Sequence, residues 1–79
     1  MNQDPRKQVP FFDKSSPYYE FEKLIYKWKC YRKDNEELLE ITPGEYTNFI
    51  HGVKMRILMC KKIILDLEQT IQKAKNNND

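Results

Sequence analysis

Seventy-nine residues allow one small domain, and a chain so short buries little apolar surface on its own, so assembly with something else has to be considered from the start. Charged side chains make up 33% of it and apolar ones 39%, enough Leu, Ile, Phe and Tyr for a small core. A net charge of +2 excludes a nucleic-acid or membrane-surface role resting on total charge; only local clustering could support one.

The first stretch, MNQDPRKQVP, carries no apolar run of the kind that opens a secretory signal, and it mixes Asp4 with Arg6 and Lys7. The expectation is a non-secreted protein of an intracellular, reducing compartment, with an organelle address left open. Pro5, Pro10 and Pro17 interrupt residues 1–16 and no apolar period is sustained there, so this segment reads as an extended N-terminal arm. Within it, Val9-Pro10-Phe11-Phe12 is an apolar plug with two possible destinations, the chain's own helices or a groove on another protein.

Ser16 followed by Pro17 has the form of an N-cap and first helical residue, so a helical domain is expected over 17–75, with 76–79 as a frayed tail. At about 100° per residue Phe21, Leu24, Ile25, Trp28 and Tyr31 share one face of the first helix, with Tyr18 at its edge and Leu39 further along. The string YKWKCYRK, residues 26–33, interleaves aromatics with cations as a base-stacking surface does, yet the wheel assigns its Trp28 and Tyr31 to the core stripe. Tyr19 and Tyr26 fall on the opposite face with Lys23, Cys30 and Lys33, which makes that face a candidate contact surface. Asp34 and Glu37 have capping-box spacing, leaving open a helix break near Asp34 and hence three helices in place of two.

The next start is marked by ITPGEY: Thr42 as N-cap, Pro43 at the first position, Glu45 reaching back, and Ile41 stapled to Tyr46. From Tyr46 through Ile50, Val53, Ile57, Cys60, Ile64, Leu67 and Ile71 to Ala74 the apolar residues recur at four-three spacing, a coiled-coil-like seam on a helix from about Pro43 to about Lys75, ~50 Å long. The fold class is therefore all-α: an antiparallel helical hairpin with a long C-terminal helix and an extended N-terminal arm. Met55, Leu58, Met59, Ile63 and Leu65 lie off the seam, so the second helix is apolar on more sides than one partner helix can cover.

No catalytic constellation accompanies this pattern. His51 is the single histidine, two cysteines match no zinc spacing, and neither a Gly-rich loop nor paired catalytic carboxylates occur, so the expectation is no enzyme, no metal and no cofactor. If the hairpin turns at Thr42, position 30 lies opposite 54 and Cys60 sits about 9 Å away along the axis, beyond the ~7 Å reach of a disulfide. Reduced thiols are expected. The longest apolar runs, residues 57–60 and 63–65, fall short of the ~20 residues of a membrane span.

The leading functional expectation is a non-catalytic helical interaction subunit or adaptor that docks into a larger protein assembly, or pairs with itself as a homodimer, through Phe11, Phe12, Tyr19, Tyr26, Met55, Met59 and Ile63. A viral or phage-type protein that binds and inhibits a host protein is a variant the residues do not select. From a different class comes nucleic-acid binding by Lys23, Lys27, Lys29, Lys33, Lys61 and Lys62, with Tyr19 and Tyr26 stacking on bases.

Overall fold

A computed structural model describes residues 4–77, so 1–3 of the arm and 78–79 of the tail lie outside the described residues. Two helices, α1 (Tyr19–Ile41) and α2 (Thr47–Asn77), form an antiparallel hairpin, with no strand among the described residues. The longest dimension, 53 Å, is set by the 31 residues of α2.

The approach to α1 is a ladder of local turns. The Asp13 carboxylate accepts from the Ser15 N–H and hydroxyl, Ser16 N–H donates to the Asp13 carbonyl, and Ser16 Oγ and O accept from the N–H groups of Tyr18 and Tyr19. Helix geometry begins at Tyr19, two residues after the expected start, because Ser16 spends its acceptors on a tight turn that still contains Pro17. Glu20 and Glu22 in the first turn favour the positive end of the helix dipole.

No break occurs at Asp34. Asn35 is buried and its side-chain amide donates to the Tyr31 carbonyl, one turn back, at 2.8 Å, so the residue that could have opened a second helix is satisfied within the first. Two helices, not three, result.

The link between the helices corrects a second expectation. The Thr42 hydroxyl turns backward to donate to the Leu38 carbonyl at 2.6 Å, ending α1 instead of capping α2. Pro43 to Tyr46 then form a turn closed by Tyr46 N–H donating to the Pro43 carbonyl, and Ile50 N–H to Tyr46 carbonyl is the first helical bond of α2. The helix thus begins at Thr47, which leaves Tyr46 outside it and 55% exposed, and it runs through Asn76 and Asn77, past the expected end at Lys75.

Moving the turn also moves the register. Tyr18 lies opposite Lys75, Lys29 opposite Glu68, Arg32 opposite Cys60 and Asn35 opposite Arg56. Position 30 is therefore nearly level with Cys60, not six residues away from it. The thiols stay apart because they occupy different faces: Cys60 is buried in the seam, whereas Cys30 is half-buried beside Tyr26 on the far face of α1.

The α2 seam is buried as its spacing implies: Val53, Ile57, Cys60, Ile64 and Ile71 are covered, with Ile50, Leu67 and Ala74 half-buried. Ile25 of α1 packs with Ile64 and Ile71, joined by Tyr18, Trp28 and Leu67. Burial pushes the Cys60 thiol pKa up, an effect that Arg32 alongside partly opposes. The stripe of α1, however, does not face α2 squarely. Ile25 is buried, but Phe21, Leu24 and Tyr31 stay about 40% exposed, because Arg32 and Asn35 share the seam with them and rotate the helix.

The arm folds back onto the far face of α1. Phe12 meets Tyr26 edge to face at 5.6 Å between ring centroids, and the Tyr26 hydroxyl donates to the Pro5 carbonyl at 2.8 Å. Arg6 fastens it: the guanidinium grips Asp4 within the arm and donates to Asp34 (2.8 Å) and Glu37 (2.6 Å) of α1. These contacts hold the Asp4 carboxyl far below the usual carboxylate range and lower that of Glu37.

Candidate protein-docking face

On a hairpin of two helices each groove takes one flank from each helix. One groove is identified by charge: Lys29 pairs with Glu68 at 3.6 Å, and further along Glu36 and Glu40 of α1 line a trough with Lys54 and Lys61 of α2, floored by Leu39, Ile57 and Leu58. The acidic block of the first helix and the second basic block thus meet across a single groove.

The opposite side has a different composition. Leu24, Tyr31 and Leu38 recur at every seventh residue and so share the other flank of α1, beside Phe21 and Trp28. In α2, Phe49, Gly52, Arg56, Met59 and Ile63 follow three-four spacing on the matching flank. Phe21, Leu24, Tyr31, Phe49 and Met59 are each 39–47% exposed, and Trp28, Leu38 and Ile63 are half-buried beside them. Trp28 and Tyr31 stand edge to face at 5.7 Å, which fixes both rings. Two flanks about 10 Å apart over ~25 Å of helix amount to an apolar strip on the order of 250 Å² that runs over both helices. Arg56 is the cation within it, oriented by the carbonyl oxygen of the Asn35 side chain at 3.5 Å.

The residues named from sequence are distributed over several surfaces. Met59 and Ile63 belong to this face, while Met55, 53% exposed, lies on the back of α2. Phe12 and Tyr26 are brought together by the arm, so the Tyr26 side of α1 is covered from within the chain. Phe11 beside them projects outward, 89% exposed. Tyr19 is half-buried with the Lys23 ammonium 5.0 Å from its ring centroid. The Tyr26 hydroxyl is made harder to ionise, chiefly by its contact with the Cys30 thiol and secondarily by burial.

The six lysines do not share one patch. Lys29 faces Glu68 across the charged groove, Lys61 lines that groove, Lys23 lies over Tyr19, and Lys62 falls on the back of α2, with Lys27 and Lys33 on other sides of α1. His51 is exposed. Among the described residues no three His, Cys, Asp or Glu side chains gather as a metal site would require, and no helix is long and apolar enough to cross a membrane.

Leu24, Tyr31 and Phe49 were not distinguished by sequence as contact residues. The first two read as core, and Phe49 stands off the seam. A signal existed only on α2, where Phe49, Met59 and Ile63 lie off the Ile57 seam and a single partner helix covers one side. Comparison of the chain with protein-family models, with curated proteins and with solved structures finds no match.

Proposed function

We propose that the protein is a non-catalytic helical interaction module, a small subunit or adaptor that seats the apolar face formed by Leu24, Tyr31, Phe49, Met59 and Ile63 against helices of another protein chain. The observation that carries this reading is the continuity of that face over both helices, on the side away from the arm and away from the charged groove. A helix with apolar residues on several sides is ordinarily enclosed by more protein. The small core points the same way: six apolar side chains are buried among the described residues, and a partner that binds only the folded form adds its binding energy to folding.

The test is light scattering on the purified chain combined with binding of an apolar dye. The expected result is self-association or strong dye binding, either of which is abolished by Met59→Glu. A monodisperse 9.6 kDa monomer that melts cooperatively and binds no dye overturns the reading.

A further inference from the structure

We propose that the occupant of the docking face is a second copy of this chain, stacked on the first in antiparallel register about a twofold axis level with Tyr31. The inference rests on the docking-face reading above and adds to it the identity and register of the partner.

On α2 the flank residues Gly52, Arg56, Met59 and Ile63 continue at the same spacing through Asp66 and Thr70. These positions step by four, three, four, three and four, a spacing that reads alike in both directions and is centred on position 61. A copy of α2 laid across it by a twofold axis perpendicular to the helix therefore meets it in matched layers, Met59 with Ile63, Arg56 with Asp66 and Gly52 with Thr70. The apolar layers fall at the centre and the charged ones on either side.

The charges favour this register. Arg56 and Asp66 are the ionisable residues of the set, both are exposed, and neither makes an ion pair among the described residues. A guanidinium carried into an apolar interface loses its hydration, and a carboxylate opposite offsets that loss through two parallel N–H bonds. A parallel pairing of α2 with its copy would instead oppose like charges.

The first helix supplies an independent check. Its flank residues Leu24, Tyr31 and Leu38 are symmetric about Tyr31, and the hairpin register, with Arg32 beside Cys60 and Asn35 bonded to Arg56, puts Tyr31 level with positions 60–61. One axis thus serves both helices. It stacks Leu24 on Leu38 and Tyr31 on its own image, giving an antiparallel four-helix bundle. The chain exposes 6405 Å², against about 5,100 Å² for a compact monomer of its mass, an excess larger than the ~800 Å² per partner that a stable dimer hides. The arm and the charged groove lie on other sides and do not intrude.

Sedimentation equilibrium on the full chain is expected to show a dimer with a dissociation constant on the order of 10 μM or below. Arg56→Asp or Asp66→Arg alone should weaken it by about tenfold or more, and the two together should restore it to within about threefold of the unaltered chain, with helicity by circular dichroism unchanged throughout. Lys62→Asp, the same charge change as Arg56→Asp but on the back of α2, should leave dimerisation as it is. A monomer that binds an apolar dye overturns the second copy as occupant and leaves the docking face standing, whereas a monomer that binds none overturns both. A dimer indifferent to the single substitutions, or not restored by the exchange, overturns the proposed register.

Discussion

Ile57 and Met59 are two residues apart and have opposite consequences. Ile57 is 8% exposed in the seam and Ile64 5%, so alanine at either removes buried methylenes that the facing helix cannot replace, at a cost of about 2–4 kcal/mol. For a chain with so small a core this is a large share of the total, and urea titration should find either variant mostly unfolded at room temperature. Met59→Glu replaces a side chain that already sees water and should leave helicity and the melting temperature of the free chain nearly intact, as circular dichroism would record.

Arg6 supplies a second contrast at this scale, since its bond to Asp4 shapes the arm while its bonds to Asp34 and Glu37 dock it. The folded-state pKa of Glu37 is lowered, so its contribution to docking is full above the ordinary glutamate range, near 4.5, and is lost as pH falls through the folded value. Asp4 is held lower still and titrates last. The arm should therefore detach on acidification below about pH 4.5, before the hairpin melts, visible as loss of Phe12–Tyr26 proton–proton contacts by NMR. Arg6→Ala should detach it at neutral pH while leaving helix content unchanged.

Among the elements, α2 carries a glycine in its interior. A Cβ built on Gly52 meets nothing within 4 Å and its φ is not positive, so neither packing nor backbone conformation in the free chain requires glycine there. Gly52→Ala should stabilise the isolated protein by about 1 kcal/mol through helix propensity and raise the melting temperature by ~4–8 °C in calorimetry. Gly52 lies on the docking flank beside Phe49, Arg56 and Met59, so the same methyl is expected to weaken self-association or partner binding if a second backbone packs against it. A rise in stability accompanied by a fall in association would be the signature.

The link shows how an element boundary escapes sequence. TPGE satisfies the local rules for a helix start, but Thr42 has one hydroxyl and the Leu38 carbonyl of the preceding helix claims it. Local signals could not arbitrate, because the same residue is a credible end for one helix and a credible start for the next.

In the molecule as a whole, one side of the hairpin is charged and the other apolar, and the arm is fastened away from the apolar one. An opposite arrangement, with Phe11 and Phe12 laid over Leu24 and Phe49, would have covered that face from within the chain. Replacing Tyr31 by glutamate, like Met59→Glu, is expected to abolish association while the melting transition stays, whereas Leu58→Glu in the charged groove should leave association intact. Light scattering on the three variants checks this, and association lost equally in all three would point to a face other than the one described.

The helical class, the hairpin and the α2 seam were determined by the sequence alone, because apolar residues repeated at the helical period over most of a 31-residue helix can be buried in only one way. The excess of apolar residues off that seam was legible too, at Met59 and Ile63. Only the tertiary structure decided which flank stays open, since that depends on the rotation of α1 about its axis. Its apolar stripe is wide, and the polar Arg32 and Asn35, unremarkable as sequence, occupy the seam and turn Leu24 and Tyr31 outward. The destination of the arm was likewise decided by contacts between residues far apart in the chain, Arg6 with Asp34 and Glu37, and Tyr26 with Pro5 and Phe12. Periodicity records how each helix divides its own faces. It carries no information about the angle at which two helices meet or about which side a proline-broken segment will choose, because those are set by charge pairing and packing across the fold.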